Sequence, residues 1–119
     1  MNVDSRRLPD YLKHIAEAIE RIRRYTAGMD KSAFLGNALV QDAVIRNFEI
    51  LGEASHSIVT RHPEFAAAHP ELPLAVSYQM RNSLAHGYFK VDLDIVWATI
   101  ERDLPGLHAR VVEAINTLH

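Results

Sequence analysis

Eight residues of this 119-residue chain, RNSLAHGY at positions 81–88, bring together four side chains that could do chemistry. Arg81 is a fixed cation, the imidazole of His86 is of a type that titrates near neutral pH, Asn82 is an amide and Tyr88 is a phenol. The other four positions hold small residues and one leucine. Neither a core helix nor a solvated helix with Glu–Lys pairs has this composition. Together the four side chains could handle a phosphate and a proton.

The spacing within this motif limits how its residues can meet. On a straight α-helix Arg81 and His86 lie about 140° apart around the axis, whereas Asn82 and His86 share a face. Arg81 and His86 can therefore serve one site in two ways. Either the helix ends between them and turns the imidazole back, as Gly87 permits, or a second copy of the chain supplies the missing half. Both routes predict a pocket at a helix end.

A purely structural interpretation of the motif is also open on chemistry alone. In that case Arg81 pairs with a surface carboxylate, His86 caps the last carbonyls of its helix and Tyr88 packs at the edge of the core. Short motifs carry this ambiguity in general, because the same residue types serve both purposes.

Helical periodicity predicts the elements before the motif. Apolar residues from Leu8 to Ile22 recur at spacings of three and four, which indicates an amphipathic helix that ends before Gly28. Asp30 or Ser32 could cap a short turn through Phe34 and Leu35. A longer helix is predicted after Asn37. Its expected apolar stripe is Leu39 or Val40, Val44, Phe48, Leu51, Ala54 or Ser55, and Ile58.

Prolines and capping residues predict the elements around and after the motif. Three prolines in RHPEFAAAHPELP indicate a loop with at most one short turn. Pro73 is suited to the first position of a third helix that ends near Ala85 or His86. Asp92 or Asp94 is expected to start a fourth helix through Leu104, and Pro105 to kink or restart the chain before a last helix at 107–118. Met80 and Trp97 are expected in the core.

These elements predict an all-α, up-and-down bundle of four to five helices, folded as a single domain over residues 1–119. A hydrophobic fraction of 48% is enough for one ordinary core. The formal net charge of −2 provides no general basic field, so any RNA contact must be local. No cysteine, membrane span or secretory signal is evident, and we expect a cytoplasmic protein.

RNSLAHGY also resembles the R-x4-H-x-Y signature of HEPN domains, and the surrounding sequence resembles the HepT-like branch. The similarity extends to VQDAVIRNFEILGEAS, HPELP, MRNSLAHGYFKVDLDIVW and ERDLP, in the family's order, from about Leu39 to Pro105. Two positions depart from the family pattern, Leu74 where Trp is frequent and Ser77 where Ile is frequent. Both bear on packing and leave the motif residues unaffected.

The resemblance implies a toxin-type ribonuclease that acts as a homodimer, with two copies of the motif facing each other in a cleft. It also implies a partner, a minimal nucleotidyltransferase antitoxin that attaches AMP to the motif tyrosine. In this chain the AMP acceptor would be Tyr88.

A metal-independent route to RNA cleavage follows from the residues present. The chain has no cysteine, and no carboxylates cluster near the motif, so a metal ion or other cofactor is not expected. Attack by the ribose 2′-OH on the adjacent phosphorus needs a base, an acid and a cation. We expect His86 to transfer protons and Arg81 to hold the phosphate through its bidentate fork. Asn82 would orient either the imidazole of His86 or the phosphate. Tyr88 would position the substrate and, once modified, block it.

Other polar groups are weaker candidates. His56, His62 and His69 are six and seven residues apart across the proline segment, which is not a metal-ligand pattern. Lys13, Arg21, Arg23 and Arg24 are interleaved with glutamates, as is typical of a solvated helix face. Four polar residues of the second helix could face the cleft or the solvent, and the resemblance favours two of them near the site. The four are Arg46, Asn47, Glu49 and Glu53, and the favoured pair is Arg46 and Asn47.

Two further functions compete with the ribonuclease. In the first, the chain is a non-catalytic helical module whose Arg81, His86 and Tyr88 dock a nucleotidyltransferase and accept its AMP. Loss of His86 should then leave docking and modification largely intact. In the second, the chain is a purely structural helical dimer, and neither Arg81 nor His86 should matter to toxicity or to any partner reaction.

Overall fold

A computed structural model of the chain describes residues 3–72, 74 and 92–118. Six α-helices are present in these ranges, and none of the described residues lies in a β-strand. The helices are α1 Val3–Tyr25, α2 Lys31–Leu35, α3 Ala38–Arg61, α4 Pro63–Ala68, α5 Leu93–Arg102 and α6 Leu104–Thr117. The predicted all-α class is confirmed.

Helix α1 begins earlier than its apolar stripe predicts and includes Pro9. Its buried face is wide because α1 packs against both α3 and α6. The helix ends where Thr26 turns its hydroxyl back to donate to the Ile22 carbonyl at 2.8 Å. Gly28 follows with a φ of +76°, a left-handed conformation that a side chain would strain. The stop predicted at Gly28 is therefore confirmed.

Helix α3 begins after Asn37, as predicted, and Asn37 caps it, because its Oδ1 accepts the Val40 N–H at 3.0 Å. Of the two residues expected to open the buried stripe, Val40 packs against the core and Leu39 is 81% exposed. Its buried stripe contains both Ala54 and Ser55, whose hydroxyl donates to the Leu51 carbonyl at 2.8 Å. Helices α1 and α3 run antiparallel, since the start of α1 lies beside the end of α3 and Arg21, late in α1, contacts Asn47, early in α3.

The short helix α2 lies between α1 and α3 in the sequence and packs against α3 and α5. Asp30, one of the two predicted caps, accepts the Ala33 N–H at 2.8 Å. Phe34 is fully buried and stacks on Trp97 of α5, with ring centroids 5.2 Å apart. On the surface Lys31 Nζ lies 2.9 Å from Asp94 Oδ1. The predicted role of Trp97 as a core residue is confirmed.

The proline segment is more helical than its composition predicts. Pro63–Ala68 form α4, a helix of six residues, rather than a loop with at most a turn. Pro63 is compatible with this helix because it lies in the first turn, where a backbone N–H would have no partner within the helix. His62 is the boundary residue that ends α3 and precedes α4.

The last two helices begin in different ways, α5 with a side-chain cap and α6 with a proline in its first turn. Asp92 Oδ1 accepts the N–H groups of Asp94 and Ile95 at 3.1 and 3.2 Å, so Asp92 caps α5. The chain restarts around Pro105, as predicted, but the bounds differ: Leu104, expected in the fourth helix, opens α6, which therefore begins three residues before the predicted start at 107. Leu118, expected on the apolar side of the last helix, is instead 41% exposed.

The core lies between α1, α3, α5 and α6, with Phe34 of α2 and Leu72 and Leu74 added to it. Its fully buried large side chains are Phe34, Phe48, Leu12, Ile15, Ile19, Ile22, Leu51, Ile58, Leu104, Val44, Val96 and Val111. Apart from Leu74, the third helix predicted from Pro73 lies outside the described residues, and so does Met80.

Candidate functional site

The four motif residues, Arg81, Asn82, His86 and Tyr88, lie outside the described residues. Their predicted roles remain predictions. The two residues expected to support them, Arg46 and Asn47, lie on α3 and are described.

Asn47 is a buried polar side chain between α1 and α3. Its Nδ2 donates to the Ala43 carbonyl at 2.9 Å, and its Oδ1 accepts from Arg21 Nη1 at 3.5 Å. Arg21 is therefore half-buried against α3 and does not belong to the solvated face predicted for it, whereas Lys13, Arg23 and Arg24 are exposed as expected. The amide of Asn47 thus contacts α1 through Arg21 and its own helix through Ala43.

A groove of about 270 Å³ opens between α1 and α3. We call it the α1–α3 groove, and it is lined by Tyr11, His14, Arg46, Ile50, Glu53, Ala54 and Ser57. Arg46 and His14 are exposed at its edge, whereas Ile50 is half-buried and Ala54 buried. The groove combines apolar groups with a cation, an imidazole, a carboxylate and hydroxyl groups, so it offers both apolar and polar contacts to a ligand.

Apart from Arg46 and Glu53, which were among the four polar residues considered for the cleft, the residues of the α1–α3 groove are absent from the sequence prediction of the site. A signal for them exists in the sequence, since Arg46, Ile50, Glu53 and Ser57 follow one another at spacings of four, three and four. Such a stripe marks one helix face. It is easily overlooked because its polarity is mixed, and only the packing of α1 on α3 brings Tyr11 and His14 beside it.

A second polar cluster lies where the segment after α4 meets α6. His69 Nδ1 lies 2.7 Å from Glu71 Oε2, and the His69 ring stacks on Phe65 with centroids 4.2 Å apart. The hydrogen bond from His69 lowers the pKa of Glu71 below its ordinary value of 4.5. The cluster borders a cavity of about 200 Å³ that is also lined by Arg110, Glu113, Ala114 and Thr117.

His62 and His108 lie where helices pack against one another. The buried Nε2 atom of His62 has no hydrogen-bond partner, and its ring meets Tyr11 edge to face at 6.1 Å. His108 Nε2 lies 2.9 Å from Glu20 Oε2, which joins α6 to α1. Within residues 3–72, 74 and 92–118, no three His, Cys, Asp or Glu side chains converge in a metal-binding group.

Of the helices in the described part of the chain, none combines the length and the apolar character needed to cross a membrane.

Comparison with known proteins gives a family match over most of the chain. Residues 15–114 match a family model described as "Ribonuclease HepT-like". A protein of Thermococcus cleftensis named "Probable ribonuclease HepT" is 43% identical over 101 residues, which cover 85% of this chain and 89% of that protein.

Two proteins of Methanocaldococcus jannaschii are also similar. One, named "Gamma-glutamylcyclotransferase and putative RNase", is 35% identical over 91% of this chain but only 47% of its own length. The other, named "Putative RNase", is 32% identical over 85% of this chain and 90% of that protein. No solved structure matches the chain.

Proposed function

Because the chain belongs to the HepT-like ribonuclease family, we propose that it is the toxin of a toxin–antitoxin pair and cleaves RNA without a metal ion. Family membership confirms the predicted resemblance and makes the chain an endoribonuclease. The observation that carries the proposal is the position of RNSLAHGY, which lies inside the matched range 15–114. The whole chain, residues 1–119, would act as one domain.

The proposed chemistry uses the nucleophile that RNA carries. The ribose 2′-OH attacks the adjacent phosphorus, the P–O5′ bond breaks, and a 2′,3′-cyclic phosphate remains on one product. His86 accepts the 2′-OH proton, and an imidazole returns a proton to the leaving 5′-oxygen. Arg81 neutralises the charge that develops on the phosphate, and Asn82 orients the histidine or the phosphate.

Two imidazoles are needed for this reaction, one as base and one as acid, and each chain supplies one from the motif. A homodimer in which the two motifs face each other provides both, which is why we propose a composite site. The purified chain should then have twice the mass of one chain at micromolar concentration, as measured by light scattering. A monomeric mass would rule out the composite site, although cleavage by one chain alone would still be possible.

Regulation would act on Tyr88. A minimal nucleotidyltransferase partner would attach AMP to its phenol oxygen, with release of pyrophosphate from ATP. The added phosphate brings negative charge and bulk to the place where the RNA phosphate must bind, so it would exclude the substrate.

One pair of assays separates this enzyme from the docking-module alternative. The His86→Ala variant should lose RNA cleavage and should still accept AMP on Tyr88 from the partner. A Tyr88→Phe variant serves as the control that cannot accept AMP. If wild type and His86→Ala both fail to cleave RNA while both accept AMP, the docking module is the better description.

A further inference from the structure

The α1–α3 groove has the chemistry of a site for one unit of a polyanion. Arg46 places a guanidinium at its edge, where it can form a bidentate contact with a phosphate. Ile50 and Ala54 give the floor an apolar surface, against which a planar base can pack with its edges left open. The exposed imidazole of His14 adds an aromatic face on the α1 side.

The positions of the charges suit a nucleotide that lies along the groove. Arg46 and Glu53 are seven residues apart on α3, which is two turns and about 10 Å along the helix axis. A phosphate held at Arg46 can place its base against Ile50, which lies four residues further along α3 and lines the same groove.

The size of the groove also favours a nucleotide over a folded partner. Its volume of about 270 Å³ falls just below the roughly 300–1,000 Å³ typical of small-ligand pockets. An amphipathic partner helix would need a long apolar groove with anchors at every turn, whereas the apolar lining here is limited to Ile50, Ala54 and the ring of Tyr11. A double helix of RNA is likewise too wide to enter.

We infer that the α1–α3 groove is a subsite for one nucleotide of single-stranded RNA, with its phosphate at Arg46 and its base against Ile50. This inference rests on the proposed function, since it takes RNA as the substrate. Because the net charge of the chain is −2, affinity must come from local contacts of this kind rather than from a general basic surface.

The test is a titration of the full-length chain with a short, fluorescent, mixed-sequence 2′-O-methyl RNA. This probe has no free 2′-OH and cannot be cleaved by the proposed route, so binding is measured independently of catalysis. Arg46→Gln is compared with Arg23→Gln, which removes the same charge from an exposed position. Arg23 is nine residues from His14, which places it on the opposite side of α1.

Loss of a single phosphate contact should change two measured quantities, the affinity for RNA and its dependence on salt. Arg46→Gln should weaken binding about fourfold at about 0.15 M salt and reduce the slope of log affinity against log salt by about 0.7. Arg23→Gln should change neither quantity. Ile50→Ser should weaken binding without changing the slope, because packing of a base releases no counterions. Thermal melting of each variant verifies the fold. If Ile50→Ser does not fold, the comparison of Arg46→Gln with Arg23→Gln alone tests the subsite.

Two results would overturn the inference: no binding of the RNA by the wild-type chain, or the same affinity and slope for Arg46→Gln and Arg23→Gln. Cleavage of ordinary RNA by the wild type is assayed separately. If the RNA is cleaved but the two arginine variants bind alike, only the subsite is wrong. If no RNA is cleaved but Arg46→Gln alone weakens binding, the subsite stands and the proposed catalysis fails.

Discussion

Phe34 shows how much one residue of a very short helix can matter. It is fully buried and stacks on Trp97, so its replacement by alanine would leave a cavity between α2 and α5. We expect Phe34→Ala to lower the free energy of unfolding by about 3–5 kcal/mol. Urea denaturation measures this change. Leu35→Ala is the matched control, since Leu35 is 41% exposed and should change stability by less than about 0.5 kcal/mol. Equal losses for both variants would contradict this account of the core.

Glu71 provides a prediction that depends on pH. Its pKa lies below its ordinary value of 4.5 because His69 donates a hydrogen bond to the carboxylate. The stability that this pair contributes is therefore fully present above pH 4.5 and is lost as the pH falls through the lowered pKa of the folded state. An NMR titration of the Glu71 carboxyl carbon should show the lowered pKa.

The matched variants for this titration differ in one histidine each. His69→Ala should return the pKa of Glu71 towards 4.5, because the principal cause of the shift is removed. His14→Ala, which removes an imidazole from the α1–α3 groove instead, should leave it unchanged. A lowered pKa that persists in His69→Ala would mean that the backbone, rather than the histidine, holds the carboxylate in its charged form.

The starts of α2, α3 and α5 are each capped by one side chain, and α3 gives the clearest case. Asn37 accepts the Val40 N–H at 3.0 Å, so Asn37→Ala should cost about 1 kcal/mol of stability through the lost cap. Asn37→Asp should retain most of it, because a carboxylate oxygen caps equally well. Thermal or urea unfolding measures both. If aspartate rescues nothing, the contribution of Asn37 lies elsewhere than in capping.

The elements that the sequence predicted best are those with local causes. Asp30, Asn37 and Asp92 each cap a helix through hydrogen bonds to N–H groups two or three residues ahead, and such signals are readable without the fold. Helix α4 was missed because the prolines at 63, 70 and 73 restrict the residues before them but leave the stretch EFAAA unrestricted. Composition alone suggested a loop there.

The α1–α3 groove and the half-buried position of Arg21 were not predictable, because both arise from contacts between helices far apart in sequence. Tyr11 meets Ser57 in one groove, and Arg21 meets Asn47, only after α1 packs antiparallel to α3. The motif is the opposite case, since RNSLAHGY is recognisable from the sequence while its geometry lies outside the described residues.

At the scale of the whole molecule, the proposed RNA subsite and the catalytic motif belong to different parts of the chain. Helices α1, α3, α5 and α6 build the core, and the α1–α3 groove remains open at the surface. The segment that carries the motif connects Leu74 to α5, so both ends of it are joined to the core through Leu74 and Leu93. Catalysis would reside in that segment, and RNA positioning would be shared with α3.

The central claim is metal-independent cleavage by His86, and it is tested most directly by incubating a mixed-sequence RNA with the purified chain in excess EDTA. Wild type and His86→Ala are assayed side by side, and the ends of the products are identified by mass spectrometry. We predict cleavage by the wild type alone, with 2′,3′-cyclic phosphate ends. Equal cleavage by His86→Ala, or cleavage that EDTA abolishes and added divalent metal restores, would contradict the proposed mechanism.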